Sequence, residues 1–283
     1  MEGKAFCPAH ITGFFRADKA GTPEETGSVG AGFSIKMGVE TTIRYTGGST
    51  ISVTGDMWNG MTEYAANLFY DMMGERHGVE INHKTGVPIG YGLGSSGAVA
   101  LSTLYALNGT FDAGIDSQRL GQMAHRTELH FNSGLGDVLA AYHGGFEVRV
   151  KGGAPGYGRI KNLDVGDPSI LIVCLAPSST NTFLQKYIQS DDSMIDVMLD
   201  CGNLRLFQEM SMNFAKKNNV ITAEMNNVIR RITDAGAPCG VAMVGETVFC
   251  MVPPEEAHVI VDALHPYDLY HTSIDTEGAR IIQ

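Results

Sequence analysis

The chain has 283 residues, enough for one large domain or two ordinary ones, and 43% of them are hydrophobic, enough to fill real cores. A formal net charge of −11 with no basic cluster argues against a nucleic-acid partner, and the lack of any apolar run of roughly 18 residues argues against a membrane span. The 35 glycines follow no collagen period, and the five cysteines are odd in number and widely spaced with no CxxC pair, which argues against a disulfide scaffold and a cysteine-rich zinc site. No charged-then-apolar leader opens the sequence, so a reducing cytoplasm is the expected compartment.

Residues 1–15 read as a short strand and a turn, with His10 just after Pro8. Residues 16–33, rich in charge and glycine and containing Ser28, read as a loop on the surface or over a site. GFSIKMGVETTIRY and STISVTG flank Gly47-Gly48 and predict a β-hairpin over 33–54. The spacing of Met61, Tyr64, Ala65, Leu68, Phe69 and Met72 predicts a helix over 60–73, followed by a short strand at Val79–Asn82.

The sequence turns on PIGYGLGSSGA at 88–98. Gly90, Gly92, Gly94 and Gly97 let backbone N–H groups approach a ligand with no Cβ in the way. The run Val99 to Leu107 predicts a helix directly behind them, whose N-terminus adds unpaired N–H groups and the positive end of the dipole. That pairing suits an anion, most commonly a phosphate, and Ser95 and Ser96 add hydroxyls for a phosphate oxygen or a metal ion. Three other readings stand beside it. GLGSSG fits dinucleotide-fingerprint spacing, as in a NAD-dependent oxidoreductase, but Pro88 and Gly90 part it from the preceding strand and no terminal acid follows. A Walker A loop lacks its lysine, and the stretch also fits a purely structural turn.

A second helix is predicted over Ser117–Leu129, with Glu128 near its C-terminal end against the dipole preference. NSGLGD at 132–137 forms another glycine turn, Val138–Tyr142 starts a helix, and Gly144–Val150 reads as a strand. In FEVRV, Arg149 lies on the face opposite Val148 and Val150, either solvent-exposed or matched to a carboxylate ligand. A turn at 152–158 precedes a composition change near Asp164–Pro168. Beyond it come a strand at Ser169–Leu175, a capped helix near Phe183–Ile188 with Thr180 as the cap, and mostly helix over 193–232, broken at Gly202 and Asn218-Asn219. A hairpin around Gly245-Glu246, a helix at Glu255–Leu264 and a polar tail complete an α+β pattern.

PIGYGLGSSGA resembles the central signature of the GHMP small-molecule kinases, the family of galactokinase, homoserine kinase and mevalonate kinase. AFCPAHITGFF at 5–15, HRTELHFNSGLGD at 125–137 and DAGAPCGVAMVG at 234–245 resemble that family's other landmarks in the same order, the last in divergent form. CPAHITGFF, GSVGAG and NSGLGD look most like its archaeal pantoate-kinase branch. The resemblance implies a two-domain α+β fold, with a ribosomal-protein-like ATP-binding domain over 1–165 and a ferredoxin-like domain over 166–283. It implies ATP and Mg2+, with nucleotide contacts from Pro88, Gly90, Gly92, Leu93, Gly94, Ser95, Ser96 and Gly97. It places Ser96, with Ser95 as a second candidate, and Glu128 beside magnesium, and Asp137 on the acceptor hydroxyl as base or orienter. His10, Ser28, His125, Arg149 and Thr180 are implied on the substrate side, pantoate is the implied substrate, and a homodimer is expected. Other alcohols, among them shikimate, homoserine or a mevalonate derivative, and a non-catalytic metabolite-binding role are the alternatives.

Overall fold

Strands β1 (Glu2–Asp18) and β2 (Gly27–Tyr45) run antiparallel along their whole length, from Glu2 opposite Arg44 to Asp18 opposite Gly27. The computed structural model describes residues 1–55, 59–178 and 193–282. The first strand is thus longer than its sequence predicts, and the loop expected over 16–33 shrinks to 19–26. The glycines that suggest a loop serve close packing instead: a Cβ on Gly30 would lie 2.3 Å from the Phe14 carbonyl oxygen, and one on Gly32 2.4 Å from that of Ile11. The ladder shifts register between Pro8 and Ala9 and between Thr12 and Phe14, which re-aims His10 and Thr12.

The predicted hairpin over 33–54 does not form. β3 (Ile51–Gly55) leaves the Gly47-Gly48 turn but pairs in parallel with β4 (Val79–Thr85), and β4 lies between it and β2. Helix α1 (Asn59–Met73) makes the crossover that a parallel pair requires. Burial decides the order: Val79, Ile81 and His83 of β4 are buried, whereas all five residues of β3 are partly or fully exposed and suit an edge. β5 (Phe146–Lys151) adds to the far part of β2, β6 (Arg159–Asn162) to β5, and β11 (Arg280–Ile281) to β1, giving seven strands.

Helices α1, α2 (Ser95–Phe111), α3 (Ser117–Phe131) and α4 (Asp137–His143) cover one face of this sheet, where Ala5, Val39, Ile43 and Ile81 meet Phe69, Leu101, Leu104 and Leu120. The other face meets a second, four-stranded antiparallel sheet in the order β10 (Leu269–Thr272), β7 (Ser169–Ala176), β9 (Glu246–Val252), β8 (Gly240–Val241), together with its helices. Those helices are α5 (Ser193–Cys201), α6 (Leu204–Lys217), α7 (Ala223–Asp234) and α8 (Ala257–Leu264). Phe33 stacks edge-on against Phe249 with centroids 5.1 Å apart, and Phe146 against Phe207 at 4.9 Å, so one apolar core runs through both units. The breaks expected at Gly202 and Asn218-Asn219 and the hairpin at Gly245-Glu246 are present. Asn203 caps α6 by accepting from the Leu206 N–H at 3.0 Å. The helix expected near 183–188 lies outside the described residues, as does Thr180. Among the described residues no helix is long and apolar enough to cross a membrane, and all five cysteines are free thiols.

Candidate active site

Residues 86–94 carry the chain from β4 to α2, with Gly90, Gly92 and Gly94 at φ 87°, 75° and 61°. These are left-handed values that a side chain disfavours. Proximity adds to the demand at Gly92, where a Cβ would lie 1.9 Å from the Val244 carbonyl oxygen. The C-terminal glycine segment therefore packs directly on this loop, and a Cβ on Gly245 would in turn lie 2.6 Å from Tyr91 Cα. Three loop carbonyls are pinned from different elements. His10 N–H donates to Leu93 O (3.0 Å), Ser178 N–H to Gly90 O (2.8 Å) and Thr247 Oγ1 to Tyr91 O (2.8 Å). Behind the loop, Gly94 caps α2 without a side chain, and the first helical bond is Ala98 N–H to Gly94 O at 3.1 Å. The N–H groups of Ser95, Ser96 and Gly97 thus have no acceptor within the helix. Gly90, Gly92, Leu93, Gly94, Ser95 and Ser96 line a cavity of about 280 Å3, while Pro88 stands just before it. A Cβ on Gly97 would lie 3.3 Å from Val138 Cγ2, so that glycine lets the N-termini of α2 and α4 meet.

The opposite wall comes from residues 131–137, between α3 and α4. Glu128, in the last turn of α3, is 1% exposed. Its Oε1 accepts from Ser133 Oγ at 2.6 Å, and its Oε2 has no partner. Burial pushes its carboxyl up to about 7, against the pull of the Ser133 and Ser96 hydroxyls. Asp137 opens α4, where a carboxylate suits the helix dipole. Burial is the largest single influence and works against its charge, but the bond to and charge of His10, the charge of Arg149 and the Thr12 hydroxyl together outweigh it and hold its pKa below the usual range. Glu128 and Asp137 face one small space: a Cβ on Gly134 would lie 2.2 Å from Glu128 Oε2 and 3.2 Å from Asp137 Oδ2.

Beneath this wall, His10 is fully buried with Nδ1 2.9 Å from Asp137 Oδ1 and Nε2 3.0 Å from Glu147 Oε1. Glu147 Oε2 accepts from Gly32 N–H at 2.8 Å. Arg149 is also fully buried, which rules out the solvent-exposed reading of its strand position. Its Nη1 donates to Glu147 Oε1, its Nη2 donates to Thr12 Oγ1 at 3.3 Å, and its Nε has no partner. That Nε and Ser28 Oγ converge on Gly136, lying 2.9 and 2.4 Å from where its Cβ would be. Ser28, Thr12 and Asp137 line the cavity; His10, Glu128 and Arg149 stand behind its wall. His125 does not reach it, and its Nε2 lies 3.1 Å from the Pro23 carbonyl oxygen under the 23–26 turn. Sequence reasoning missed Glu147 and Thr12. The signal for Glu147 was present, since residues two apart in FEVRV share a face and a buried arginine needs an acid there.

One end of the cavity therefore offers a helix N-terminus and glycine backbone to an anion, and the other a carboxylate and hydroxyls to an acceptor. The unpaired, buried Glu128 Oε2 and the nearby Ser96 hydroxyl suit a hard cation that takes few protein ligands and completes its shell with water and phosphate oxygens. Among the described residues, no group of three or more His, Cys, Asp or Glu gathers as a dedicated metal cage.

Residues 60–145 match the profile of the GHMP kinases N terminal domain. The chain is 31% identical to the pantoate kinase of Thermococcus kodakarensis, with 98% of this chain and 97% of that protein covered. It is 29% identical to the pantoate kinase of Methanospirillum hungatei, with 87% and 86% covered. A solved phosphotransferase related to the CoA biosynthesis pathway superposes with a TM-score of 0.85 at 28% identity, covering 99% of this chain and 98% of that one. A homoserine kinase from Cytophaga hutchinsonii, at 19% identity, shares the fold with a TM-score of 0.75 over 99% and 97% of the two chains.

Proposed function

We propose that this chain, which belongs to the GHMP kinase family, transfers the γ-phosphoryl group of ATP to the primary hydroxyl of pantoate, forming 4-phosphopantoate on the archaeal route to coenzyme A. The observation that carries the reading is the single cavity in which the open N-terminus of α2 faces the Asp137 carboxylate. The ATP phosphates occupy the loop from Pro88 to Gly97 and the first turn of α2. Ser96, with Ser95 as the second hydroxyl, and Glu128 Oε2 are the groups that would hold Mg2+. When bound, the ion supplies positive charge to the β- and γ-phosphate oxygens.

At the acceptor end, the substrate carboxylate is assigned to Ser28 Oγ on the cavity wall, with the Arg149 guanidinium, whose Nε has no partner, behind it at Gly136. Phe15, Phe131 and Leu135 offer apolar wall to its geminal methyl groups. The primary hydroxyl then lies beside Asp137, whose Oδ2, the oxygen not bonded to His10, orients it and takes its proton as the new O–P bond forms and ADP departs with the electrons of the broken one. Because the Asp137 pKa is depressed, that proton moves late. His10 contributes from behind, beside the transferred group. His125 acts on the pocket by holding the 23–26 turn that leads to Ser28, and Thr180 belongs to the set by resemblance.

We also read the first unit as ribosomal-protein-like and the second, with its four antiparallel strands and helices, as ferredoxin-like, dividing near residue 165. A homodimer is part of the same proposal, to be checked by light scattering. The functional test is a coupled assay of ADP release with Mg-ATP across pantoate, homoserine, shikimate and mevalonate. Pantoate is expected to exceed the others by at least ~100-fold in kcat/KM. Equal or better use of another alcohol would reassign the acceptor.

A further inference from the structure

Both ring nitrogens of His10 face carboxylate oxygens, Asp137 Oδ1 at 2.9 Å and Glu147 Oε1 at 3.0 Å. A carboxylate only accepts hydrogen bonds, and a neutral imidazole has one donor. A neutral ring would therefore set a lone pair against a carboxylate oxygen unless one acid carried a proton. Glu147 is badly placed to carry one. It already accepts from the Gly32 N–H and from Arg149 Nη1, two donors that favour the anion. Asp137 is 25% exposed in its side chain and sits at a helix N-terminus, which also favours the anion.

Charge balance agrees. His10 on β1 is faced by Asp137 from α4 and by Glu147 and Arg149 from β5; β2 brings Gly32 and Ser34 to it, neither of them ionisable, and the 93–94 loop brings backbone. Two cations and two anions cancel, whereas a neutral His10 would leave a buried excess of negative charge. We propose that Glu147 fixes His10 as a doubly protonated imidazolium against Asp137, and so acts as a positioning residue for phosphoryl transfer. The inference rests on the kinase reading of this site and deepens it. The imidazolium occupies Asp137 Oδ1 and leaves Oδ2 for the acceptor. It also sets a fixed positive charge behind the transferred phosphoryl group, where an ordinary histidine would lose its charge near neutral pH. The pKa of His10 is raised in the folded protein, because the charges and bonds of Glu147 and Asp137 overcome the opposing effect of burial.

The test combines a titration with a rate. In 15N-labelled protein, both His10 ring nitrogens should be protonated at neutral pH, with a midpoint above that of free imidazole. Glu147→Gln should bring that midpoint down and move the alkaline limb of kcat with pantoate down by about one pH unit, while ATP affinity changes little. Glu147→Asp, which keeps the charge, should restore much of the limb. A singly protonated His10 ring in the wild-type protein at neutral pH overturns the proposal, and that readout needs no variant. It is also overturned if the His10 midpoint falls in Glu147→Gln while the alkaline limb of kcat stays in place, because Glu147 would then not act on the reaction. If no alcohol acceptor is phosphorylated at all, the kinase reading fails, and the ring titration still shows whether Glu147 holds the charge.

Discussion

Two buried histidines on the first sheet have opposite environments. His10 lies between two carboxylates at the cavity wall, whereas His83 lies in the core beneath α1 and α2, between two hydroxyls. Thr41 Oγ1 is 2.8 Å from His83 Nδ1 and Thr62 Oγ1 2.9 Å from Nε2, with Ser102 Oγ extending the chain 2.6 Å beyond Thr41. A hydroxyl donates or accepts as required, so a neutral ring is fully satisfied there. Burial lowers the His83 pKa to about 4, while the acids beside His10 raise its pKa despite equal burial. Burial alone therefore does not set the charge of a histidine; the acceptor or donor character of its neighbours does. A polar network sealed in the core supports structure, and a charged one opening on a cavity through Asp137 supports chemistry.

The comparison breaks most sharply at Asp137. Asp137→Asn keeps the size and an acceptor oxygen for His10 but removes the proton-accepting carboxylate. Turnover is expected to fall about 10²–10⁴-fold with ATP affinity by calorimetry nearly unchanged. Near wild-type single-turnover transfer would remove Asp137 from the reaction.

Stability against pH sharpens the contrast further, because the two rings give opposite signs. The folded His83 pKa is depressed, so the unfolded ring takes up a proton that the folded one refuses. Its contribution is lost as pH falls from about 6.5 to about 4, amounting to roughly 3 kcal/mol. The folded His10 pKa is raised, so its contribution is whole below 6.5 and is lost as pH rises through the folded value. Urea melts across pH should therefore lose their acid-side slope in His83→Gln and their alkaline-side slope in His10→Gln. The same slope lost in both variants would erase the distinction.

A smaller effect joins His10 to the glycine loop. A Cβ on Gly94 would lie 3.1 Å from the His10 carbonyl oxygen at a φ of 61°. Gly94→Ala should weaken ATP by about 5- to 30-fold, the equivalent of roughly 1–2 kcal/mol of left-handed strain. The corresponding strain at Gly74, where φ is 74° and a Cβ would meet open space, should leave ATP affinity unchanged in Gly74→Ala.

The sequence landmarks at 5–15, 88–98, 125–137 and 234–245 all reach this cavity, through Thr12, the glycine loop, the 131–137 turn and Met243 with Val244. They were legible because each is local: glycines before a helix, an acid at a helix end, a turn rich in small residues. Strand partners are not local. The β2–β3 hairpin failed because nothing in those residues says that Val79–Thr85 will take the place between them. Arg149 stayed open between solvent and a carboxylate because its partner Glu147, two residues before it, passed without notice, and His10 looked ambiguous because its charge depends on acids 127 and 137 positions away. Ser28 looked like loop because its neighbouring glycines serve strand packing.

31P NMR of the product formed from Mg-ATP and pantoate decides the proposal that the cavity transfers phosphate to the primary alcohol of a small hydroxy acid. That proposal requires a phosphate monoester signal split by the two protons of the adjacent methylene, appearing together with ADP. ADP formed without that signal, or a monoester on the secondary hydroxyl, would contradict it.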